Sequence, residues 1–144
     1  MQFTDLDCKL SREMVETVEI DLGISFPESL KDLFVNFNGG VPDPYVFQNF
    51  DLNTVVNETL PLISTQNRGT ALYSYQLLVL ERQIVNKNYF PFAVDAGGDY
   101  FFVDCDTADA RVYFYLSDTG EDRRGLLDLE LTLNEFWDHL EPEE

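Results

Sequence analysis

From Phe90 to Leu131 the apolar residues of this chain fall into short runs and alternations separated by turn residues. Before and after that stretch they recur every three or four positions. Alternation puts successive side chains on opposite faces of a strand, whereas a repeat near 3.6 builds one apolar stripe on a helix. The chain is therefore committed to helices on either side of a set of strands. The strands follow one another through short turns, which only antiparallel pairing allows. The fold class is α+β.

The helical flanks carry their own boundaries. Met14, Val15, Val18 and Leu22 share one helical face, with Ser11 placed to cap the start and Gly23 to end it in the left-handed conformation. A second helix follows, with Pro27 in its first turn and Leu30, Leu33, Phe34 and Phe37 as its stripe. Asn38-Gly39-Gly40 stops it, since both residue types tolerate positive φ. Residues 41–70 read as loop-rich, with one or two short strands, one of them at Tyr45-Val46-Phe47. Leu77, Leu80 and Ile84 predict a third helix near 74–86.

The strands are then read in order. Phe90 to Asp95 is the first, and Pro91 places it at a sheet edge or strand start. Ala96-Gly97-Gly98-Asp99 is a tight turn in which both central glycines accept positive φ. Tyr100 to Asp104 returns, Cys105 to Ala110 is a polar turn, and Arg111 to Leu116 forms a third strand. After a polar loop from Ser117 to Gly125, Leu127, Leu129 and Leu131 alternate with acids. Thr132 and Glu135 form a capping box for a closing helix striped by Leu133, Phe136, Trp137 and Leu140. With 12 Phe and 7 Tyr in 144 residues, a substantial core is available, and the length predicts one domain over residues 1–144.

Charge restricts the partners. The chain carries 27 Asp and Glu against 9 Lys and Arg, a net −18. Residues 1–59 hold −8, residues 60–90 hold +2 and residues 91–144 hold −12. Such a surface repels nucleic-acid phosphates and anionic lipid, so direct nucleic-acid or membrane binding is not expected. No apolar run is long enough to span a membrane, and Met1 to Asp7 lacks the features of a secretory signal. The expected location is the cytoplasm, with Cys8 and Cys105 as free thiols.

Catalytic chemistry finds little support. No nucleophile elbow, phosphate-cradling loop or dinucleotide fingerprint is present. The lone His139 sits in the acidic closing helix, where a structural role is expected. Asp95 and Asp99 flank the Gly-Gly turn, and their expected task is to accept local backbone N–H groups. Asp104-x-Asp106-x-x-Asp109 has the opening of a calcium loop. However, Asp109 stands where glycine is needed and Tyr115 where a bidentate glutamate is needed. No metal or cofactor is expected.

The assembled pattern resembles the SUKH superfamily, also called the SMI/KNR family. The first block of the resemblance is Glu19-Ile20-Asp21-Leu22-Gly23-Ile24, Phe26-Pro27, Leu30, Phe34 and Asn38-Gly39-Gly40. The second is Pro91-Phe92-Ala93, Asp95-Ala96-Gly97-Gly98-Asp99, Phe102, Asp104 and Val112-Tyr113-Phe114. Phe26 and Leu30 depart from the commoner residue types but stay apolar. The resemblance implies a SUKH-like α+β fold: N-terminal helices, an antiparallel meander and a C-terminal helix packed on it. It also implies an immunity protein of a bacterial polymorphic toxin or contact-dependent inhibition system, one that binds and blocks a cognate toxin domain, often a nuclease. Other members serve as regulatory or scaffold modules, which is the alternative reading. The family's motifs are structural, so the resemblance supplies no binding residue.

The binding residues are expected from charge and exposure instead. If Val112, Phe114 and Leu116 face the core, Arg111, Tyr113 and Tyr115 face away, joined by Tyr100, Phe102 and Asp104 from the neighbouring strand. The expected contact set is Asp104, Asp106 and Asp109, the tyrosines Tyr113 and Tyr115, and the loop acids Asp118, Glu121 and Asp122. The expected partner is a protein toxin with a basic surface.

Overall fold

The computed structural model describes residues 1–116 and 125–143. The chain begins with a short strand, β1 (Gln2–Thr4), that no sequence pattern announces. It pairs antiparallel with β2 (Val41–Asp43). Between them lie two helices, α1 (Arg12–Leu22) and α2 (Glu28–Phe37). Ser11 Oγ accepts the Met14 amide at 3.1 Å, and Gly23 ends α1 at φ +71°. Val15 and Val18 point inward as expected, but Met14 is exposed and Leu22 only half-buried. Buried Glu19 takes part of the place left for apolar residues. Its carboxylate accepts the Phe26 amide at 2.5 Å and lies 3.3 Å from Lys31 Nζ, so one acid ties the α1–α2 loop to both helices. Pro27 stands just before α2 rather than in its first turn.

The end of α2 corrects the sequence reading. Gly39 alone takes positive φ, at +72°, while Asn38 has φ −50° and is buried. Asn38 Nδ2 donates to the carbonyls of Cys8 at 2.9 Å and Ile63 at 3.0 Å, and its Oδ1 accepts the Leu62 amide at 2.8 Å. One side chain thus joins three separate segments. Gly40 is required by closeness: a Cβ there would lie 2.7 Å from Leu6 Cδ2 and 2.9 Å from Phe3 Cβ.

Asp7 completes this polar hub. Its side chain is fully buried and accepts the Cys8 amide at 2.7 Å, the Thr65 amide at 3.1 Å and the Ser64 hydroxyl at 2.7 Å, with Arg68 3.5 Å away. Burial alone raises its pKa, but the Ser64 hydroxyl, the two amides and Arg68 outweigh burial and hold it below the ordinary carboxylate value. A carboxylate depressed on folding contributes stability above its unfolded pKa, and that contribution is lost as pH falls through the folded value. The stability gap between the parent and Asp7→Asn, measured by urea unfolding, is therefore expected to be widest near neutral pH and to narrow as pH falls below the ordinary carboxylate range. A gap constant over that range would remove the linkage.

Residues 41–70 hold three strands rather than one or two: β2, β3 (Val46–Gln48) and β4 (Asn53–Thr59). The third helix also differs from expectation. Thr70 caps the Tyr73 amide at 3.0 Å, so α3 (Ala71–Ser74) starts three residues earlier, and it continues as a π-helical stretch over Tyr75–Glu81. Then come β5 (Tyr89–Asp95), β6 (Tyr100–Asp104), β7 (Arg111–Leu116), β8 (Gly125–Thr132) and α4 (Leu133–His139).

Strands β3 to β8 form a six-stranded antiparallel sheet in chain order. This is the expected meander, extended by β3 and β4. Because β4 adds to β5, Pro91 sits in an interior strand, not at an edge. It is tolerated because the β4–β5 pairs end at Ala93 and the β5–β6 register shifts between Pro91 and Ala93. In the 96–99 turn only Gly98 has positive φ. Asp95 Oδ1 accepts the amides of Gly97 at 3.0 Å and Asp99 at 2.8 Å, the local role expected of it.

One face of the sheet is the main core. Phe26 from the α1–α2 loop and Phe34 from α2 meet Phe90, and Phe136 from α4 meets Phe47, Phe92 and Phe101. The capping box holds as read: Thr132 and Glu135 exchange hydrogen bonds at 2.9 and 3.2 Å. After α4 the chain returns to the sheet edge, where Val46 and Glu141 exchange backbone bonds of 3.1 and 2.9 Å. The β3 edge is thereby covered. Among the described residues no helix is long and apolar enough to cross a membrane.

Candidate functional site

Strand β7 sends Val112 and Phe114 into the core, so Arg111, Tyr113 and Tyr115 face the other way. Register extends that second face across the sheet. Phe102 lies opposite Tyr113, Tyr89 opposite Asp104, Asp128 opposite Tyr113 and Leu126 opposite Tyr115. Phe102 shares this face, as expected, but it is completely buried. The four tyrosines Tyr89, Tyr100, Tyr113 and Tyr115 are half-buried. Leu78, Arg82 and Ile84, from the π-helical stretch and the turn after it, border Tyr100 and Tyr115 across a cleft of about 380 Å³. The second face is therefore covered at its centre and open at two rims.

The first rim joins aromatic rings to carboxylates. Tyr89 and Tyr113 meet edge to face, with ring centroids 5.2 Å apart. Asp104 accepts the Asn88 amide group at 2.8 Å and the Asp106 backbone amide at 2.9 Å, which shapes the β6–β7 turn and leaves Asp106 and Asp109 exposed on it. Across the pair, Asp128 receives Arg111 Nε at 3.0 and 3.1 Å and the Glu130 amide at 2.8 Å. Burial, then the Asp104 charge, raises the Tyr89 hydroxyl above its ordinary pKa. Burial, then Asp128, does the same for Tyr113. Both hydroxyls stay protonated and present O–H donors among carboxylates.

Such a rim suits a cationic side chain. Ring faces attract a guanidinium or ammonium, and carboxylates accept its N–H groups. Three other cations among the described residues are turned toward the chain's own acids. Arg12 contacts Glu16 at 3.4 Å and Asp32 at 3.7 Å and is hydrogen-bonded to Glu28; Lys31 contacts Glu16, Glu19 and Glu28; Arg68 contacts Asp7 and Glu58. The exposed Arg12 pairs contribute little stability, whereas the Asp7 and Glu19 carboxylates are buried. As a group these contacts offset acids of the N-terminal half, and none of them involves Asp104, Asp106 or Asp109 of the β6–β7 turn.

The expected contact set divides. Asp104, Asp106 and Tyr113 come together at the first rim, and Asp109 lies on the same turn. Tyr115 lies two residues along β7, about 7 Å further, beside Tyr100 at the second rim. Asp118, Glu121 and Asp122 lie outside the described residues. Sequence reasoning missed Tyr89 and Asp128. Tyr89 precedes the run read as a strand, and Asp128 joins the rim only through the β7–β8 register, which shifts between Arg111 and Tyr113. Its alternation with Leu127 and Leu129 was the available signal.

The groups considered for catalysis have other partners. His139 stacks near Phe47 with ring centroids 5.0 Å apart, and its Nε2 lies 2.7 Å from the Gln48 carbonyl oxygen. Burial, then Asp104 and Asp106, pushes the Cys105 thiol far above its ordinary pKa, the opposite of what a nucleophile needs. Cys8 Sγ lies 3.5 Å from the Ile63 carbonyl oxygen. Among the described residues no group of His, Cys, Asp and Glu is arranged to hold a metal ion.

A family model described as the SMI1 / KNR4 family (SUKH-1) matches residues 9–141, most of the chain. Neither a curated protein nor a solved structure matches it.

Proposed function

The chain belongs to the SMI1/KNR4 family (SUKH-1), and on that footing we propose that it is a non-enzymatic immunity protein. It binds a cognate toxin domain with a basic, nuclease-type surface, in a contact-dependent inhibition or related polymorphic toxin system, and acts in the cytoplasm. The observation that supports this reading is the Tyr89–Tyr113 pair set among Asp104, Asp106 and Asp128 on a chain of net charge −18. Nuclease toxins must attract phosphates, so their clefts are cationic. The negative field steers the inhibitor to that cleft, and carboxylates replace phosphate oxygens against Arg and Lys. Tyrosines supply contact area at low entropy cost. The bound body then keeps substrate out.

The test is binding to the toxin domain encoded beside this chain, titrated against ionic strength. Asp106→Lys/Asp109→Lys is the informative variant, because both acids are exposed and Asp104, which shapes the turn, is left intact. The association rate is expected to fall about tenfold or more at low salt. The parent's affinity is expected to weaken as ionic strength rises through the physiological range. Affinity that ignores both salt and charge reversal removes the electrostatic mechanism. A partner that is not a toxin would move the chain to the regulatory or scaffold members. Turnover of a small compound by the purified chain would end the non-enzymatic assignment.

A further inference from the structure

Phe50 stands at the tip of the β3–β4 hairpin, and its exposure is 103% of the reference value. Isolated apolar residues on a surface are ordinary. Phe50 differs in how it is held. Phe37, also exposed, lies stacked on Phe3 at 4.5 Å, whereas Phe50 has no cover at all. The turn beneath it is closed by the Asn49 amide donating to the Leu52 carbonyl at 2.8 Å, and Asn49 Oδ1 accepts the amides of Asp51 and Leu52, both at 2.8 Å. Turn chemistry explains Asn49 and Asp51 but gives no reason for a phenylalanine between them.

The hairpin is anchored at its base. Phe47 is fully buried and stacks on Phe136 at 5.4 Å, Gln48 is tied to His139, and Val46 is paired with Glu141. The ring is therefore displayed on a backbone that needs little ordering on binding, which is how a rigid aromatic becomes an efficient anchor.

We propose that Phe50 is a binding anchor that inserts into an apolar pocket rimmed by Arg or Lys on a partner protein. The inference rests on the reading of the chain as a protein-binding inhibitor and adds an anchor to it. The cationic rim follows from charge: Asp51 adjoins the ring, and the chain as a whole carries −18. A second copy of this chain would bring the same negative field and be repelled. Position also fits. The hairpin tip joins β3 and β4, the 96–99 turn joins β5 and β6, and Ala96 bonds to the Val55 carbonyl. Tip and turn therefore lie at the same end of the sheet, with the tip projecting several residues beyond the turn. A standard interface of about 800 Å² per partner spans both Phe50 and the Tyr100–Tyr115 rim.

The experiment places p-benzoylphenylalanine at position 50, at position 113 and, as a control, at exposed position 66 of the full chain, in cells that carry the native gene. The captured protein is identified and purified, and its affinity is measured for the parent and for Phe50→Ala. The expected result is one basic protein crosslinked from positions 50 and 113 but not 66. Phe50→Ala is then expected to weaken its binding about 10–100-fold, mainly through faster dissociation. Its salt dependence and the melting temperature of the free chain should match the parent, and Phe50→Trp should retain most of the affinity. If position 113 captures the protein while position 50 does not, or if Phe50→Ala changes affinity by less than about twofold, the anchor is wrong and the inhibitor reading survives. A crosslink from position 50 to a second copy, or to an acidic protein, overturns the assigned partner chemistry. No specific crosslink from either position sinks both proposals.

Discussion

Phe136→Ala is expected to destabilise the fold by about 3–5 kcal/mol, the largest effect among the substitutions considered. The ring is completely buried and contacts Phe47, Phe92, Phe101 and Trp137 at centroid distances of 5.4, 5.7, 5.2 and 5.1 Å. Those neighbours come from β3, β5, β6 and α4, so no one of them can move into the void without leaving its own element. The helix cannot compensate. With seven residues α4 is too short to persist without packing, even though its capping box stays intact. The damage should spread to the β3 edge, where His139 and Glu141 hold Gln48 and Val46. Urea unfolding measures the cost, and hydrogen exchange at β3 and β4 reports its spread. A loss below about 1.5 kcal/mol would mean that the α4–sheet layer is far more plastic than its packing implies.

Asn38→Ala is expected to cost about 3 kcal/mol or more, with a melting temperature lower by about 10 °C. The substitution strands two carbonyls, of Cys8 and Ile63, and the Leu62 amide, all now served by one side chain. Leaving buried polar groups unpaired costs far more than the net gain of forming each bond. Asn38→Asp separates this account from simple loss of volume. It is nearly isosteric and keeps the acceptor for Leu62. However, it turns a carboxylate oxygen toward the Cys8 and Ile63 carbonyls, where two donors were needed. It should therefore be at least as damaging as alanine near neutral pH and partly relieved in mild acid, as the carboxyl regains a proton to donate. Differential scanning calorimetry at both pH values decides. An Asn38→Asp variant as stable as the parent would show that the Nδ2 bonds carry no weight.

These two sites differ in how visible they are without coordinates. Phe136 belongs to a stripe of period 3.6 behind a capping box, so its inward direction could be read directly. Asn38 was read as a helix stop chosen for left-handed φ. The stop is real, but Gly39 supplies the left-handed φ, and Asn38 works through segments 25 and 30 residues away. The same division holds at the candidate site. Alternation along β7 predicted that Tyr113 and Tyr115 share a face. It could not show that Tyr89 packs against Tyr113, that Arg111 engages Asp128, or that Phe102 on the same face is fully covered.

Local order thus settles what depends on a few consecutive residues: the caps at Ser11, Gly23 and Thr132, the Asp95-held turn, the strand alternation and the negative charge. Those features rest on hydrogen bonds and periodicities that close within about one helical turn or one hairpin, so their signal survives in the linear chain. Pairings between distant segments were decided only when the chain folded. β1 found β2, β4 joined β5 and put Pro91 inside the sheet, Glu19 and Asn38 became buried links, and Phe50 was left uncovered while most of the other phenylalanines found cover. Each of these depends on which surfaces remain to be buried once the sheet and helices have met, a condition set by the whole molecule rather than by any short stretch of it.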